Sequence, residues 1–410
     1  MSLNGLRLAA GLIWPVSSPP IANGAVLIGP DGLIRAVGPD AGVARPPGSA
    51  ALDAPNAVLL PGLVNAHTHL ELSYLRDEVP PSSEFLTWIR SVMAARRQRP
   101  PTAPVILEAV DEAIAESAAS GTAVVGDISN TLVSFQALVR SPLAAVVFFE
   151  VLGFNVADAN ALVEHACGEI EALGATDRVR ASLAAHAPYS VAPLVFRAIR
   201  KAIDRDPFAP CSVHLSESVE EVEFIRTGRG PWRGFLEALG VWNAEWIPPG
   251  VSPVQFLDDS GFLDARVLAV HGVQMTPADL SRLASRGTTL VTCPRSNGHT
   301  GAGAPPIEDF YESGAHVAIG TDSLASAPDL SVFAELATLR ALAPSVPAST
   351  LLASATIEGA RALGFDADYG TIEPGKSARL VAVDIPAGAG DVEEYLVSGV
   401  HRDQIRWIED

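Results

Sequence analysis

The stretch "LLPGLVNAHTHLELS", residues 59–73, decides how the rest of the chain is read. An apolar run ends in two histidines one residue apart, His67 and His69. In an extended strand residues i and i+2 project to the same side, so both imidazoles face one way and Thr68 the other. An HxH pair alone is a weak signal. Its meaning depends on whether other segments repeat a buried strand that ends in a chemically able residue.

Seven later runs do so: "GTAVVGDIS" (121–129), "LAAVVFFEVLG" (143–153), "VRASLAAHAPYS" (179–190), "CSVHLSES" (211–218), "RVLAVHGV" (266–273), "TTLVTCPRSN" (288–297) and "HVAIGTDS" (316–323). Helix-like stretches separate them, among them "APVILEAVDEAIAESAAS" and "SVFAELATLRALA". Thr276 and Pro277 supply an N-cap and a first-turn proline to "ADLSRLASR". Eight alternations of strand and helix imply a parallel barrel with its chemistry at the C-terminal strand ends. A doubly wound sheet shares the alternation, but no GxGxxG follows the first strand.

The expected fold is thus α/β: a (β/α)8 TIM-type barrel over residues 58–365, with a small β-sandwich domain formed by both termini, 1–57 and 366–410. The terminal domain is read from the short strands and turns of the first 57 residues, "GAVLIGPDGLIRAVG" among them, and from "YGTIEPGKSARLVAVD" near the end.

Composition narrows the function. With 48% hydrophobic residues the chain has a large core and is not a disordered one. A net charge of −19 argues against nucleic acid and against an anionic membrane surface as partners. Cys167, Cys211 and Cys293 are odd in number and widely spaced, as suits a reducing compartment. The early "LRLAAGLIWPV" has the length of a signal h-region, but its basic flank is Arg7 alone and a hairpin-like unit follows at once. No run reaches the ~20 apolar residues of a membrane helix. A cytoplasmic protein with a small-molecule substrate, assembling as a homodimer, is the expectation.

Among the histidines, position matters more than number. His67 and His69 end the first strand, His186 the fourth, His214 the fifth and His271 the sixth, while Asp322 ends the eighth. Taken singly, His214 reads better as a core histidine, and Asp322 also fits a loop turn or helix cap. Together they converge on one barrel mouth, where imidazoles and a carboxylate suit zinc or iron(II). Glu217 lies three residues after His214, placed to lean over such a site and carry protons. Glu220, Glu221 and Glu223 read as the acidic start of the next helix. His165, His316 and His401 fall in a helix, at a strand start and in the tail, away from the mouth; His299, after "CPRSN", is open between substrate contact and solvent.

The segments "PGLVNAHTHLE", "HAPYS", "HLSE", "VHGV", "CPRSN" and "GTDS", in this order, resemble the amidohydrolase superfamily in its cytosine/adenosine-deaminase-like branch. The resemblance covers essentially the whole chain. It implies one divalent metal ion, zinc or iron(II), on His67, His69, His214 and Asp322, with Glu217 as proton shuttle and His271 holding the attacking water. Branches with two metals bridge them through a carbamylated lysine, which neither Lys201 nor Lys376 is placed to supply. "NAHTHLELS", "GDISN" and "HLSESVEEVEFIRTGRGP" look most like the aminodeoxyfutalosine deaminases of menaquinone synthesis and relatives termed chlorohydrolases. The resemblance therefore implies hydrolytic deamination of a 6-aminopurine nucleoside; by position, His186 after the fourth strand and Arg295, Ser296 and Asn297 after the seventh are candidate substrate contacts, while Glu71 and Trp88 after the first are open between substrate contact and packing. Chloride displacement from a triazine, opening of another ring, and a non-catalytic barrel that only binds ligands are the competing readings.

Overall fold

In the computed structural model, residues 5–174, 176–386 and 390–408 are described; the outermost ends of the expected terminal domain, 1–4 and 409–410, lie outside them. The strands in chain order are β1 (Leu6–Ile13), β2 (Ile21–Ile28), β3 (Ile34–Pro39), β4 (Ala50–Pro61), β5 (Leu63–Thr68), β6 (Thr122–Ser129) and β7 (Ala144–Val151). They continue as β8 (Val179–Ala185), β9 (Cys211–Leu215), β10 (Val267–His271), β11 (Thr289–Thr292), β12 (His316–Ile319), β13 (Leu380–Asp384) and β14 (Ile405–Trp407).

Strands β5 to β12 form one eight-stranded sheet in sequential order. Adjacent strands from β7 to β12 pair in parallel, β7 with β8 from Ala145↔Val179 to Val151↔Ala185 and β9 with β10 from Cys211↔Val267 to Leu215↔His271. The sequences suit this setting: strands covered on both faces read as near-continuous apolar runs, and β6, β9 and β10 are buried at every position. Just past β12 the backbone N–H groups of Thr321 and Asp322 donate to His67 O at 3.1 and 3.0 Å, closing the mouth of the barrel. Gly320 permits that approach, since a Cβ there would stand 2.7 Å from His67 Cβ and 2.8 Å from His67 O. Helices return the chain between strands. In the one over Pro277–Arg286, Thr276 and Asp279 form a capping box and Gly287 closes the end with φ +68°.

The termini build a second, mixed sheet in the order β14-β13-β4-β1-β2-β3. It curls, because Ile34 donates to Lys376 O and Ala378 to Gly32 O, joining the β3 edge to the segment that leads into β13. Leu8, Ile13, Val26, Ile34, Leu59, Leu380 and Ala382 share the core it encloses, the two-faced packing of a sandwich. The N-terminal apolar stretch with the length of an h-region is strand β1, bonded to β2 on one side and β4 on the other. By compactness the chain separates into residues 1–65, 117–124 and 331–410 as one unit, and 66–116 with 125–330 as the other. Every candidate site residue lies in the second. No helix among the described residues is long and apolar enough to cross a membrane.

Candidate active site

The strand ends deliver their side chains to one place. Ring centroids of His67 lie 5.0 Å from His69, 5.1 Å from His214 and 5.5 Å from His271. Asp322 Oδ1 lies 3.6 Å from His69 Nε2 and 4.0 Å from His67 Nε2. One ligand atom from each of His67, His69 and Asp322 falls within 4.8 Å of the others, and the same holds for His67, His214 and His271. Glu217 Oε1 stands 3.6 Å from His271 Nε2, and both side chains are buried. The backbone bends to achieve this: Ser216, His271 and Asp322 have φ of +54°, +79° and +58°, a conformation costing non-glycine residues about 1–3 kcal/mol. Such strain persists only where surrounding bonds fix it. Here Gly272 and Gln274 donate to Leu215 O and Ser216 O, and Asp322 to His67 O.

Burial pushes the imidazolium forms out. Desolvation, then the neighbouring histidines, lower His67 well below its ordinary value and bring His271 to about 3; desolvation likewise brings His186 to about 4 and lowers His69. Two carboxylates behave oppositely. Burial works to raise Asp322 and Glu150, but the surrounding imidazoles outweigh it and hold both below the usual carboxylate range. Two anions among neutral imidazoles leave a charge that a divalent cation balances. Neutral imidazole nitrogens with a carboxylate are also the donor set such a cation takes. The triads His67, His69 and Asp322 and His67, His214 and His271 each have the donors and spacing to hold a divalent metal ion. Glu217 differs again: burial, then the charges of Asp322 and Glu221, raise it well above the usual carboxylate range, which favours its protonated form.

The site opens into a cavity of about 580 Å³ whose lining includes His69, His186, His214, Glu217, His271 and Asp322. Trp88 lines it too, and His186, with Nδ1 2.5 Å from Ser190 Oγ, faces it from beyond β8. The other expected substrate contacts do not line it. Arg295 is turned away and donates to Asp329 Oδ1 at 2.9 Å and to Asp329 O at 3.0 Å. Ser296 is wholly buried behind Asp322 and donates to its Oδ2 at 2.5 Å, with Ser326 adding a bond at 3.2 Å. Asn297 is likewise buried, its amide 3.0 Å from His271 Nδ1. The turn after β11 thus braces a carboxylate and an imidazole, because its helix, Pro294–Thr300, points these side chains back under the mouth. Glu71 is also out of the cavity, tied to Arg96 at 2.7 Å and to Ser129 and Thr131. His299 binds Val79 O at 3.1 Å.

Several contributors escaped sequence reading. Glu221 is more than an acidic helix start: its carboxylate accepts the N–H groups of Ser216 and Glu217, both at 2.9 Å, and so shapes the turn that carries Glu217. Glu150 lies 3.3 Å from His214 Nε2. A lone carboxylate at the C-terminal end of the apolar run "VVFFEV" was the signal for it. Asp127 accepts from Leu70 N–H at 2.8 Å and from Ser134 O–H at 2.5 Å, pinning the backbone just after His69. The apolar wall, with Phe85, Phe154, Tyr189, Trp232 and Leu236, comes from helices and loops that read as ordinary core.

The model of the amidohydrolase family matches residues 58–401. An aminodeoxyfutalosine deaminase of Deinococcus radiodurans is 33% identical over 324 residues, 77% of this chain and 75% of the relative. A 5-methylthioadenosine/S-adenosylhomocysteine deaminase of Moorella thermoacetica is 31% identical over 394 residues, 91% of this chain and 84% of the relative. Among solved structures, an adenosine deaminase from Xanthomonas campestris with bound zinc superposes with a TM-score of 0.84 at 28% identity, covering 98% of this chain and 90% of that one. The chain belongs to the amidohydrolase family and is a hydrolase acting on carbon–nitrogen bonds.

Proposed function

We propose that this amidohydrolase is a metal-dependent deaminase of 6-aminopurine nucleosides, replacing the exocyclic amine with oxygen from water and releasing ammonia. The observation that carries the reading is Glu217: a buried carboxyl, pushed by burial towards its protonated form, 3.6 Å from His271, on the floor of a cavity large enough for a substituted nucleoside. The names of the relatives point to the same substrate class.

His67, His69, His214 and Asp322 would hold the divalent ion, zinc by analogy with the Xanthomonas structure. Such an ion, when bound, lowers the pKa of a water to about 7 and polarises the oxygen that attacks. Glu217 gives its proton to the purine ring nitrogen beside the amine-bearing carbon, which makes that carbon electrophilic. Asp322 is ready to accept the proton of the water, since Ser296 and Ser326 hold its Oδ2 and leave Oδ1 towards the histidines. His271, braced by Asn297 through Nδ1, keeps Nε2 near the oxygen that adds. The Glu217 carboxylate then relays the proton of the new C–OH to the amine, which leaves as ammonia as that oxygen becomes the carbonyl, and the proton held by Asp322 returns to Glu217. The apolar wall keeps bulk water from competing.

Ammonia release from zinc-loaded protein, over adenosine, 5'-methylthioadenosine, S-adenosylhomocysteine and 6-aminodeoxyfutalosine, tests this. At least one should turn over, and we place 6-aminodeoxyfutalosine, and with it a role in menaquinone synthesis, first. Turnover of none would defeat the reading.

A further inference from the structure

His214 offers its two nitrogens to different surroundings. Nδ1 lies 3.0 Å from His271 Nε2, inside the histidine cluster, and Nε2 lies 3.3 Å from Glu150 Oε1. A neutral imidazole carries one proton, so one nitrogen alone keeps a lone pair for a cation. A carboxylate facing Nε2 draws the proton there and leaves the Nδ1 lone pair to the cluster.

Glu150 is the one charged residue of β7 and is 8% exposed. Its attitude is fixed from behind. Oε2 accepts from Asn130 Nδ2 at 2.7 Å, and Asn130 Oδ1 accepts from an Arg96 amine at 2.8 Å. The other Arg96 amine donates to Glu71 Oε1 at 2.7 Å, and Glu71 Oε2 accepts from the hydroxyls of Ser129 and Thr131. At the end of this run Glu150 Oε1 is buried, has no hydrogen-bond partner of its own, and is the atom that faces His214 Nε2 at 3.3 Å.

We propose that Glu150 is the positioning residue of His214: it holds the proton on Nε2, turns Nδ1 into the cluster, and thereby sets how tightly the centre keeps its divalent cation. The proposal rests on the reading of His67, His69, His214 and Asp322 as the cation's ligands. Asn130, Arg96 and Glu71 hold Glu150 in turn. Asn130 and Arg96 also line the cavity, so the substrate wall and a metal ligand share one relay. Glu150, His186 and His214 also fall within 4.8 Å of one another, as a cation seat would require. That seat would have to take His214 away from the first centre, and His186 Nδ1 is already engaged by Ser190. The relay leaves every donor in place.

The test is zinc affinity of the full chain, measured by competition with a chromophoric chelator, together with the visible spectrum of the cobalt-substituted protein. Wild type, Glu150→Ala, Glu150→Gln, Asn130→Ala and, as the reference for a lost ligand, His69→Ala are compared. Glu150→Ala should bind zinc roughly 10–100-fold more weakly with an altered cobalt spectrum, as expected for loss of a carboxylate behind a ligating histidine. Glu150→Gln, which keeps an acceptor, should recover part of that loss, and Asn130→Ala should fall between Glu150→Gln and wild type. Zinc affinity within twofold of wild type and an unchanged spectrum in both Glu150→Ala and Asn130→Ala would overturn the relay while leaving the ligand reading intact. A second zinc equivalent that disappears in Glu150→Ala would overturn it in favour of Glu150 as a ligand. A wild type that binds no zinc would overturn both. Should Glu150→Ala fail to fold, Asn130→Ala, altered at the less buried cavity wall, decides alone.

Discussion

The floor and the wall of the cavity are built by opposite means. The floor consists of strand-end residues, His67, His214, His271 and Asp322 with Glu217 beside them, each held by directional bonds and several by strained backbone. The wall consists of apolar side chains from the helices Phe85–Arg96 and Pro231–Ala238 and from the segment after β7. Directional contacts act on one atom of substrate and fail all at once when a proton or a bond is lost. Apolar contacts act through area and fail in proportion to what is removed. A substitution in the floor should therefore change the chemistry, and one in the wall should change occupancy.

The strongest test of that division is Glu217→Gln, which keeps shape and removes the transferable proton. Turnover should fall by about 10²–10⁴-fold, the range of general acid–base catalysis, with zinc content unchanged by elemental analysis. A variant that deaminates near the wild-type rate would show that the floor does not work by proton delivery.

Asp127 separates floor from wall by stability instead. Burial raises its carboxyl to about 7 against the hydrogen bonds from Ser134 and Leu70. The folded protein thus keeps this proton up to about pH 7, whereas the unfolded chain releases it near pH 4. Its contribution to stability is complete below about pH 4 and is lost as pH rises towards 7, a change of a few kcal/mol at the order-of-magnitude level. Asp127→Asn should flatten the difference in denaturant midpoint between pH 4 and 7 relative to wild type. Parallel profiles for the two proteins would show that Asp127 does not titrate in that window.

The same division explains what could be read from sequence. Strand ends are legible, because short apolar runs ending in His or Asp recur along the chain, and His67, His69, His214, His271, Asp322 and Glu217 do meet. The direction of "CPRSN" was not legible. Whether Ser296 and Asn297 face substrate or brace Asp322 and His271 depends on a helix beginning at Pro294, which turns them inward. The carboxylate partner of Arg295 is not legible locally, since Asp329 lies 34 residues away. The position of Glu150 at the end of an apolar run is a local signal, but its role is not, because that depends on the neighbouring His214 of another strand. The wall was invisible because Phe85, Trp232 and Leu236 have the same helical spacing whether they fill a core or border a cavity.

The smallest expected effect belongs to the wall, and it carries the sharpest contrast. Leu152 and Leu239 line the cavity yet are 47% and 36% exposed, so truncating them removes little that holds the fold. A bound substrate with an apolar substituent would cover them. Covering half of a leucine side chain stabilises a complex by about 1 kcal/mol, or roughly a fivefold change in binding. Leu152→Ala should accordingly raise KM about three- to tenfold and leave kcat within twofold, the signature of contacts made equally in ground and transition states. The change should be larger for 5'-methylthioadenosine or 6-aminodeoxyfutalosine than for adenosine, whose 5'-hydroxyl gains nothing from an apolar wall. If kcat falls instead while KM holds, the wall is positioning the purine over Glu217, and the division between the two surfaces fails at that residue.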